Sequence, residues 1–262
     1  MVVNSGTGPL RVERRGRALF AAIDRPDAGN AIDGALLDAL DAALDDAEGD
    51  AAVRAFVLAG RPGLFCTGMD LAALSGAENV GAASLQAGAR GYFRLLRRLA
   101  TSRCATVALV DGRCDAGGIG LIAAADVVLC APQSTFRLPE ALLGLIPANV
   151  MPFLIRRVGF HRAFRLSATA DTLDATAALA AGLVDEIGDP LDAALRRTLL
   201  RLERVPDGTL GALKRYMNAL APIDEAAEEL AVREIAAMLE DPRSLERVRE
   251  LMRHGVWQGA PR

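Results

Sequence analysis

Four short apolar runs mark the first half of the chain. They cover residues 18–23, 53–59, 104–110 and 126–131, and each is followed directly by Asp, Gly or Pro. Runs of this length that end at turn-forming residues are typical of strands buried in a sheet. We therefore predict four core strands in this part of the chain.

Two amphipathic helices are predicted between these strands, over 33–47 and over about 84–101. In each helix, apolar side chains recur every three to four residues and so share one face. They are Leu36, Leu37, Leu40 and Leu44 in the first helix, and Tyr92, Leu95, Leu96 and Leu99 in the second. The alternation of strands and helices predicts an α/β domain with largely parallel strand pairing.

The pattern becomes purely helical from about residue 190, with Leu, Ala, Val and Met at three-to-four spacing up to Met252. Such a segment cannot bury its apolar stripe by itself, because a lone helix is only marginally stable in water. We expect this tail to lie either on the core or on another subunit.

Composition narrows the classes of function. A chain of 262 residues, 52% of them hydrophobic, is long enough to bury a sizeable core. Charged residues make up 24%, and the net charge of −3 is spread without long runs of one sign. We therefore expect no nucleic-acid partner.

Cysteine and histidine usage points to a reduced compartment without a metal site. None of the four cysteines has C-x-x-C spacing, and the two histidines form no cluster with them. The chain shows neither an apolar stretch after basic residues at its start nor an apolar run of about 18 residues. We expect a cytoplasmic protein with no signal peptide, no membrane span and no metal.

Two glycine-containing turns follow the predicted strands at 53–59 and 104–110. They read Phe-Cys-Thr-Gly-Met-Asp over 65–70 and Asp-Ala-Gly-Gly-Ile-Gly over 115–120. Glycine permits positive φ and close backbone approach, and N–H groups at a helix start favour an anion. Neither turn matches a nucleotide-binding pattern, so either one alone is compatible with plain architecture.

A third segment, 137–147, carries one carboxylate in strongly apolar sequence. Pro139 suits the first turn of a helix, which would place Glu140 at the helix start. Glu140 could simply complement the helix dipole there. Alternatively, it could be a partly buried carboxyl with a raised pKa, ready to transfer protons near neutrality.

Taken together and in order, these segments resemble the crotonase (enoyl-coenzyme A hydratase/isomerase) superfamily over residues 10–190. The matching motifs are Arg25-Pro26-x-x-x-Asn30-Ala31, Phe65-x-x-Gly68-x-Asp70, Asp111-Gly112-x-x-x-Ala116-Gly117-Gly118, Asp126, Pro139-Glu140-x-x-x-Gly144-x-x-Pro147 and Ala181-Gly182-Leu183-Val184-Asp185.

The resemblance implies an α/β spiral of strand-strand-helix units over about 1–197 and a helical, oligomerising region over 198–262. It also implies a trimer or a hexamer. The expected substrate is an acyl thioester carried on the phosphopantetheine of an acyl carrier protein or of coenzyme A, with no other cofactor.

The family's functional residues can be placed on this sequence position by position. The two donors of the oxyanion hole correspond to the backbone N–H groups of Met69 and Gly117. Of the two glutamates usual in hydratases, Glu140 matches the second, whereas Gly120 occupies the place of the first. Gly120 cannot activate water, which leaves a one-carboxylate mechanism or a substitute base, Asp115 or Asp70.

A narrower resemblance links residues 111–120, 136–159 and 214–217 to the hydratase-like dehydratases of polyketide β-branching cassettes. Those enzymes convert 3-hydroxy-3-methylglutaryl on an acyl carrier protein to 3-methylglutaconyl, before a sister enzyme decarboxylates it. Asp115 and Asn149 stand where that group carries Asn and Cys. The resemblance predicts a syn elimination by Glu140, with Gly120 giving space to the extra substituent at C3.

The expected pocket contains residues from all three segments and from the second helix. They are Cys66, Asp70, Tyr92, Asp115, Gly118, Gly120, Arg137 and Asn149. Arg137 or Arg94 would pair with a distal carboxylate on the acyl group. An ordinary acyl-coenzyme A hydratase or isomerase remains an alternative, as does a non-catalytic relative that binds an acyl group or a carrier protein.

Overall fold

Two mixed β-sheets build the core in a computed structural model that describes residues 8–70, 82–241, 243, 244, 246, 247 and 250. The first sheet has six strands in the order β1-β2-β3-β5-β7-β10, and the second has four in the order β4-β6-β8-β9. The strands are β1 Leu10–Arg15, β2 Ala18–Ile23, β3 Ala55–Ala59, β4 Leu64–Cys66, β5 Ala105–Val110, β6 Arg113–Asp115, β7 Val127–Cys130, β8 Thr135–Arg137, β9 Leu173–Asp174 and β10 Glu186–Ile187. The pairs β1–β2 and β8–β9 are antiparallel, and the other pairs are parallel.

The described helices follow the strands along the chain. They are α1 Gly34–Gly49, α2 Ala82–Thr101, α3 Gly117–Ala124, α4 Met151–Val158, α5 Phe160–Thr169, α6 Ala175–Ala181, α7 Leu191–Glu203, α8 Thr209–Leu220 and α9 Glu225–Glu240. The helix predicted over 33–47 is α1, which begins where the Asp33 carboxylate accepts the Leu36 N–H at 2.8 Å. The helix predicted over 84–101 is α2.

The chain alternates between the two sheets, which produces the predicted spiral. Strands β3, β5 and β7 belong to the first sheet, and each is followed by a short strand of the second sheet. Helices α2 and α3 come after two of these strand pairs, and a single 3-10 turn followed by α4 comes after the third. The four predicted strands are confirmed as β2, β3, β5 and β7, while the three-residue strands of the second sheet were not predicted.

The helical tail lies on the core as far as the structure describes it. Ala194 and Leu195 of α7 pack against the first sheet. Lys214 of α8 is buried, and its ammonium donates to the Asp126 carboxylate at 2.6 Å and to two backbone carbonyls. The boundary expected between residues 197 and 198 lies inside α7, Leu191–Glu203.

No helix within the described ranges is long and apolar enough to cross a membrane.

Candidate active site

The first glycine turn leaves one backbone N–H group without an acceptor. Ile32 and Met69 form a parallel bridge in which the Ile32 N–H donates to Gly68 O at 2.7 Å. The Asp70 N–H donates to Ile32 O at 2.9 Å. A parallel bridge uses the groups before and after its central residue, so the Met69 N–H has no acceptor among the described residues.

The second glycine turn leads from β6 into α3 through a strained residue. Ala116 has φ of 50° and ψ of −122°, a region that costs a residue with a Cβ atom about 1–3 kcal/mol. Gly117 begins α3, and the first N–H groups of a helix have no intrahelical acceptor. The predicted positive φ is therefore found at Gly68 in the first turn, at 98°, but at Ala116 rather than at a glycine in the second.

The two turns touch each other through their backbones. A Cβ atom on Gly68 would lie 2.6 Å from the Ala116 Cβ and 3.0 Å from the Gly117 nitrogen. A Cβ atom on Gly118 would lie 2.9 Å from the Cys66 carbonyl oxygen. This approach requires glycine at both positions, and it brings the N–H groups of Met69 and Gly117 into one neighbourhood.

Glu140 lies at the start of a 3-10 turn, Glu140–Leu143, directly after Pro139. The residue as a whole is half-buried, but its Oε2 atom is shielded from solvent and has no hydrogen-bond partner among the described residues. Burial raises the pKa of Glu140 to about 7, and the charge of Asp115 adds to the rise. The structure therefore fits the interpretation of a buried carboxyl that titrates near neutrality.

The space next to Gly120 is occupied by a side chain from α2. A Cβ atom on Gly120 would overlap the Tyr92 hydroxyl and lie 3.0 Å from the Val150 Cγ2 atom. The Tyr92 hydroxyl donates a hydrogen bond to the Gly117 carbonyl. In this structure the Tyr92 hydroxyl occupies the space beside Gly120 that the substrate was expected to use.

The two carboxylates considered as substitute bases both lie in ion pairs. Asp115 is buried, and its carboxylate accepts the Arg113 Nε–H at 2.5 Å. Burial raises the pKa of Asp115 more than the charges of Arg113 and Arg137 lower it. Asp70 lies 3.3 Å from the Arg25 guanidinium. Each carboxylate thus has a cation that Glu140 lacks within the described part of the chain.

Three other predicted pocket residues have structural partners. The Cys66 thiol accepts the Gly68 N–H at 3.4 Å, and burial raises the pKa of this thiol to about 12. The Arg137 Nε–H donates to the Ala170 carbonyl at 3.0 Å. The Asn149 amide donates to the Ala89 carbonyl at 2.9 Å, but its buried Oδ1 atom has no partner among the described residues.

Ala116 and Val150 also belong to the site, although neither was predicted as a site residue. Ala116 is an ordinary small residue in sequence, and only its backbone angles show that it orients the Gly117 N–H. Val150 follows Asn149, and its Cγ2 atom lies 3.0 Å from where a Cβ atom on Gly120 would be. Neither residue carries a chemical group that a pattern could reveal.

Comparison with known proteins identifies the family. The model of the enoyl-CoA hydratase/isomerase family matches residues 18–254. The bacillaene synthase dehydratase PksH of Bacillus subtilis is 29% identical over 236 residues, which are 90% of each chain. The 2,3-dehydroadipyl-CoA hydratase of Escherichia coli is 32% identical over 219 residues, covering 83% of this chain and 84% of that one.

A solved structure shows the same fold. The polyketide biosynthesis enoyl-CoA hydratase of Bacillus subtilis superposes with a TM-score of 0.85 at 27% identity, covering 94% of this chain and 97% of that one. The shared fold includes both sheets and the C-terminal helices. The chain therefore belongs to the crotonase superfamily, the enoyl-CoA hydratase/isomerase family, and is a hydro-lyase of that family.

Proposed function

We propose that the protein dehydrates a 3-hydroxyacyl thioester, with Glu140 as the group that transfers the proton. The observation that carries this proposal is the Glu140 carboxyl itself, which is buried, lacks a cation among the described residues and has a pKa of about 7. A general acid/base works best when its pKa lies near the working pH.

The backbone N–H groups of Met69 and Gly117 bind the thioester oxygen. Both groups lack an acceptor in the described structure, and they lie on turns whose backbones touch. As the C2 proton leaves, negative charge develops on the thioester oxygen, and two prepositioned donors stabilise it. The substrate oxygen thus supplies an acceptor that the described residues do not provide for these two N–H groups.

A single carboxylate completes the reaction on one face of the substrate. The ionised Glu140 takes the proton from C2, and the C2–C3 double bond forms as the C3–oxygen bond breaks. Glu140 then gives the proton to the departing hydroxyl group, which leaves as water. The carboxylate is regenerated, and no second acid or base is required.

The packing around Gly120 supports this one-carboxylate mechanism. The Tyr92 hydroxyl fills the space beside Gly120, while Asp115 and Asp70 are held in ion pairs. The Asn149 Oδ1 atom, like Glu140 Oε2, is a buried acceptor without a hydrogen-bond partner among the described residues. Because buried acceptors are normally satisfied, we propose that Asn149 Oδ1 accepts a hydrogen bond from the C3 hydroxyl of the substrate.

The proposed substrate is 3-hydroxy-3-methylglutaryl on an acyl carrier protein, and the product is 3-methylglutaconyl on the same carrier. The similarity to a dehydratase of bacillaene synthase supports this choice, together with the sequence resemblance over 136–159. The distal carboxylate of this acyl group needs a partner if it is buried. We propose Arg137 for this role, since Arg94 already pairs with Glu228 at 2.9 Å.

Mass spectrometry of the loaded carrier protein tests the proposal. Incubation with the enzyme should remove one water from the 3-hydroxy-3-methylglutaryl carrier, and the Glu140→Gln variant should not do so. No loss of water from this carrier, combined with rapid hydration of crotonyl-coenzyme A, would overturn the assignment of the substrate.

A hydratase acting on a coenzyme A thioester is the second candidate. The similarity to the 2,3-dehydroadipyl-CoA hydratase of Escherichia coli favours it. Turnover of the same acyl group on coenzyme A and on the carrier protein separates the two candidates. A clear preference for the coenzyme A thioester would favour this second function.

We also propose that the protein assembles as a trimer or a hexamer. Helix α8 presents apolar side chains that are more than half exposed in the single chain: Leu213, Tyr216, Met217 and Leu220. An apolar surface of this kind is typical of a contact between subunits. A monomer measured by light scattering at micromolar concentration would contradict this proposal.

A further inference from the structure

We propose that Tyr92 is a positioning residue that orients the Gly117 N–H group. This inference rests on the proposed function, in which that N–H binds the thioester oxygen. The same hydroxyl occupies the place where a longer side chain at residue 120 would enter the site. Tyr92 thus fixes one donor of the site and limits the number of carboxylates in it.

The Tyr92 hydroxyl lies against the first turn of α3. Gly117 and Gly120 lie on one face of α3, about one helical turn apart, and Tyr92 reaches this face from α2. A Cβ atom on Gly117 would lie 3.4 Å from the Tyr92 oxygen, and one on Gly120 would overlap it. Glycine at 120 is therefore the condition for Tyr92 to reach the Gly117 carbonyl.

The strained residue before Gly117, Ala116, sets the direction of the Gly117 N–H. The ψ angle of Ala116, −122°, sets the plane of the peptide that carries the Gly117 N–H. A strained conformation persists only where its surroundings hold it in place. The Ala116 N–H donates to Arg137 O at 2.9 Å, and the Ile119 N–H donates to Ala116 O at 2.9 Å. The Tyr92 hydroxyl holds the next carbonyl, that of Gly117.

Tyr92 does not take part in proton transfer. The side chain is 2% exposed, and burial raises the pKa of its hydroxyl well above the ordinary value. The charge of Glu140 raises this pKa further. Tyr92 therefore stays neutral, and its proton is engaged by the Gly117 carbonyl. Its influence on the reaction passes through the Gly117 backbone, which joins the peptide that Tyr92 holds to the peptide that carries the Gly117 N–H.

The spectrum of a bound conjugated thioester measures this influence directly. Cinnamoyl-pantetheine is a suitable probe, because polarisation of its carbonyl by hydrogen-bond donors moves its absorption band to longer wavelength. The parent protein should produce such a shift, and Tyr92→Phe should reduce it by at least half. The kcat should fall by about 10-fold to 100-fold, the range expected for a small misplacement of a catalytic group.

Three further measurements separate positioning from mere packing. The pH profile of kcat should keep its limb near pH 7, because Glu140 is unchanged in Tyr92→Phe. Gly120→Ala should mimic the loss of the hydrogen bond, since the new methyl group displaces the hydroxyl. Adding Gly120→Ala to Tyr92→Phe should then cause little additional loss of the spectral shift. Thr101→Val is the matched control and should behave like the parent, because it removes an exposed α2 hydroxyl that donates to the Arg97 carbonyl at 2.9 Å.

Each outcome bears on one proposal. A Tyr92→Phe variant that lowers kcat but keeps the full spectral shift would overturn the positioning role, as would loss of the limb near pH 7. If the parent protein binds the probe without any shift, the proposed oxyanion hole fails, and the positioning inference fails with it. A shift in the parent that Tyr92→Phe leaves intact overturns the inference alone.

Discussion

Glu140 and Glu228 both carry buried carboxylate oxygens, but their surroundings differ. Glu228 of α9 is 2% exposed and faces three arginines of α2, with Arg90, Arg94 and Arg97 at 3.3, 2.9 and 3.4 Å. Glu140 has a buried oxygen and no cation among the described residues, and its pKa is raised to about 7. A buried charge needs a partner, so the presence or absence of a cation assigns the two glutamates different roles.

The comparison also explains how α2 connects the helical tail to the site. Arg90, Arg94 and Arg97 form one face of this helix and hold α9 through Glu228. Tyr92 lies on another face and reaches the start of α3. One helix therefore supports both the attachment of the tail and the geometry of the oxyanion-binding turn.

The largest expected effect is the loss of proton transfer in Glu140→Gln. We expect kcat to fall by roughly 10² to 10⁴, the usual contribution of a general acid/base, while the fold is kept because Gln has the same shape. Substrate turnover and thermal melting measure the two quantities. Glu225→Gln, in the first turn of α9, is the control and should retain activity. Near-normal turnover in Glu140→Gln would show that another carboxylate transfers the proton, and Asp115 would be tested next.

The next effect is the loss of one oxyanion donor in Gly117→Pro. We expect a decrease in kcat of about 10² to 10³, because proline removes the N–H while suiting the first position of a helix. Gly117→Ala is the matched control, since both variants add a Cβ atom 3.3 Å from Ile32 but only proline removes the donor. Equal losses in the two variants would show that crowding, and not the donor, is responsible.

Burial of the Glu140 carboxyl also makes stability depend on pH. The pKa of Glu140 rises from 4.5 to about 7 on folding. Protonated Glu140 therefore stabilises the folded state fully below pH 4.5, and this contribution is lost as the pH rises through 7. Glu140→Gln lacks this loss. Between these pH values the free energy of unfolding of Glu140→Gln should therefore rise relative to that of the parent, by about 3 kcal/mol at most. Urea unfolding at a series of pH values measures the difference, and a constant difference would contradict the raised pKa.

The smallest effect is expected for Glu228, whose carboxylate is surrounded by arginines. Glu228→Gln removes the charge that α2 surrounds, and we expect a decrease of about 1–3 kcal/mol in the free energy of unfolding, since the arginines are partly solvated. Turnover should change little. Urea unfolding and kinetics test this together. A variant with full stability and impaired turnover would reverse the roles that the comparison assigns.

Local sequence was sufficient for strands β2, β3, β5 and β7 of the first sheet and for helices α1 and α2, but not for strands β1 and β10. Strand Ala18–Ile23 is apolar along its whole length, and Ala105–Val110 is apolar except at Thr106. Helices α1 and α2 repeat their apolar residues at helical spacing. The strands of the second sheet, such as Arg113–Asp115, have only two or three residues. A segment so short has no period to detect, and only pairing with its neighbours makes it a strand.

For the site, the sequence by itself determined the family, the two glycine turns and Glu140, because these depend on residues close together in the chain. Only the tertiary structure decided that Glu140 is buried without a cation in the described chain, while Asp115 and Asp70 are paired. It alone also decided that Tyr92 fills the space beside Gly120. Burial, pairing and free volume depend on side chains that packing brings together from distant helices and strands, so no local pattern encodes them.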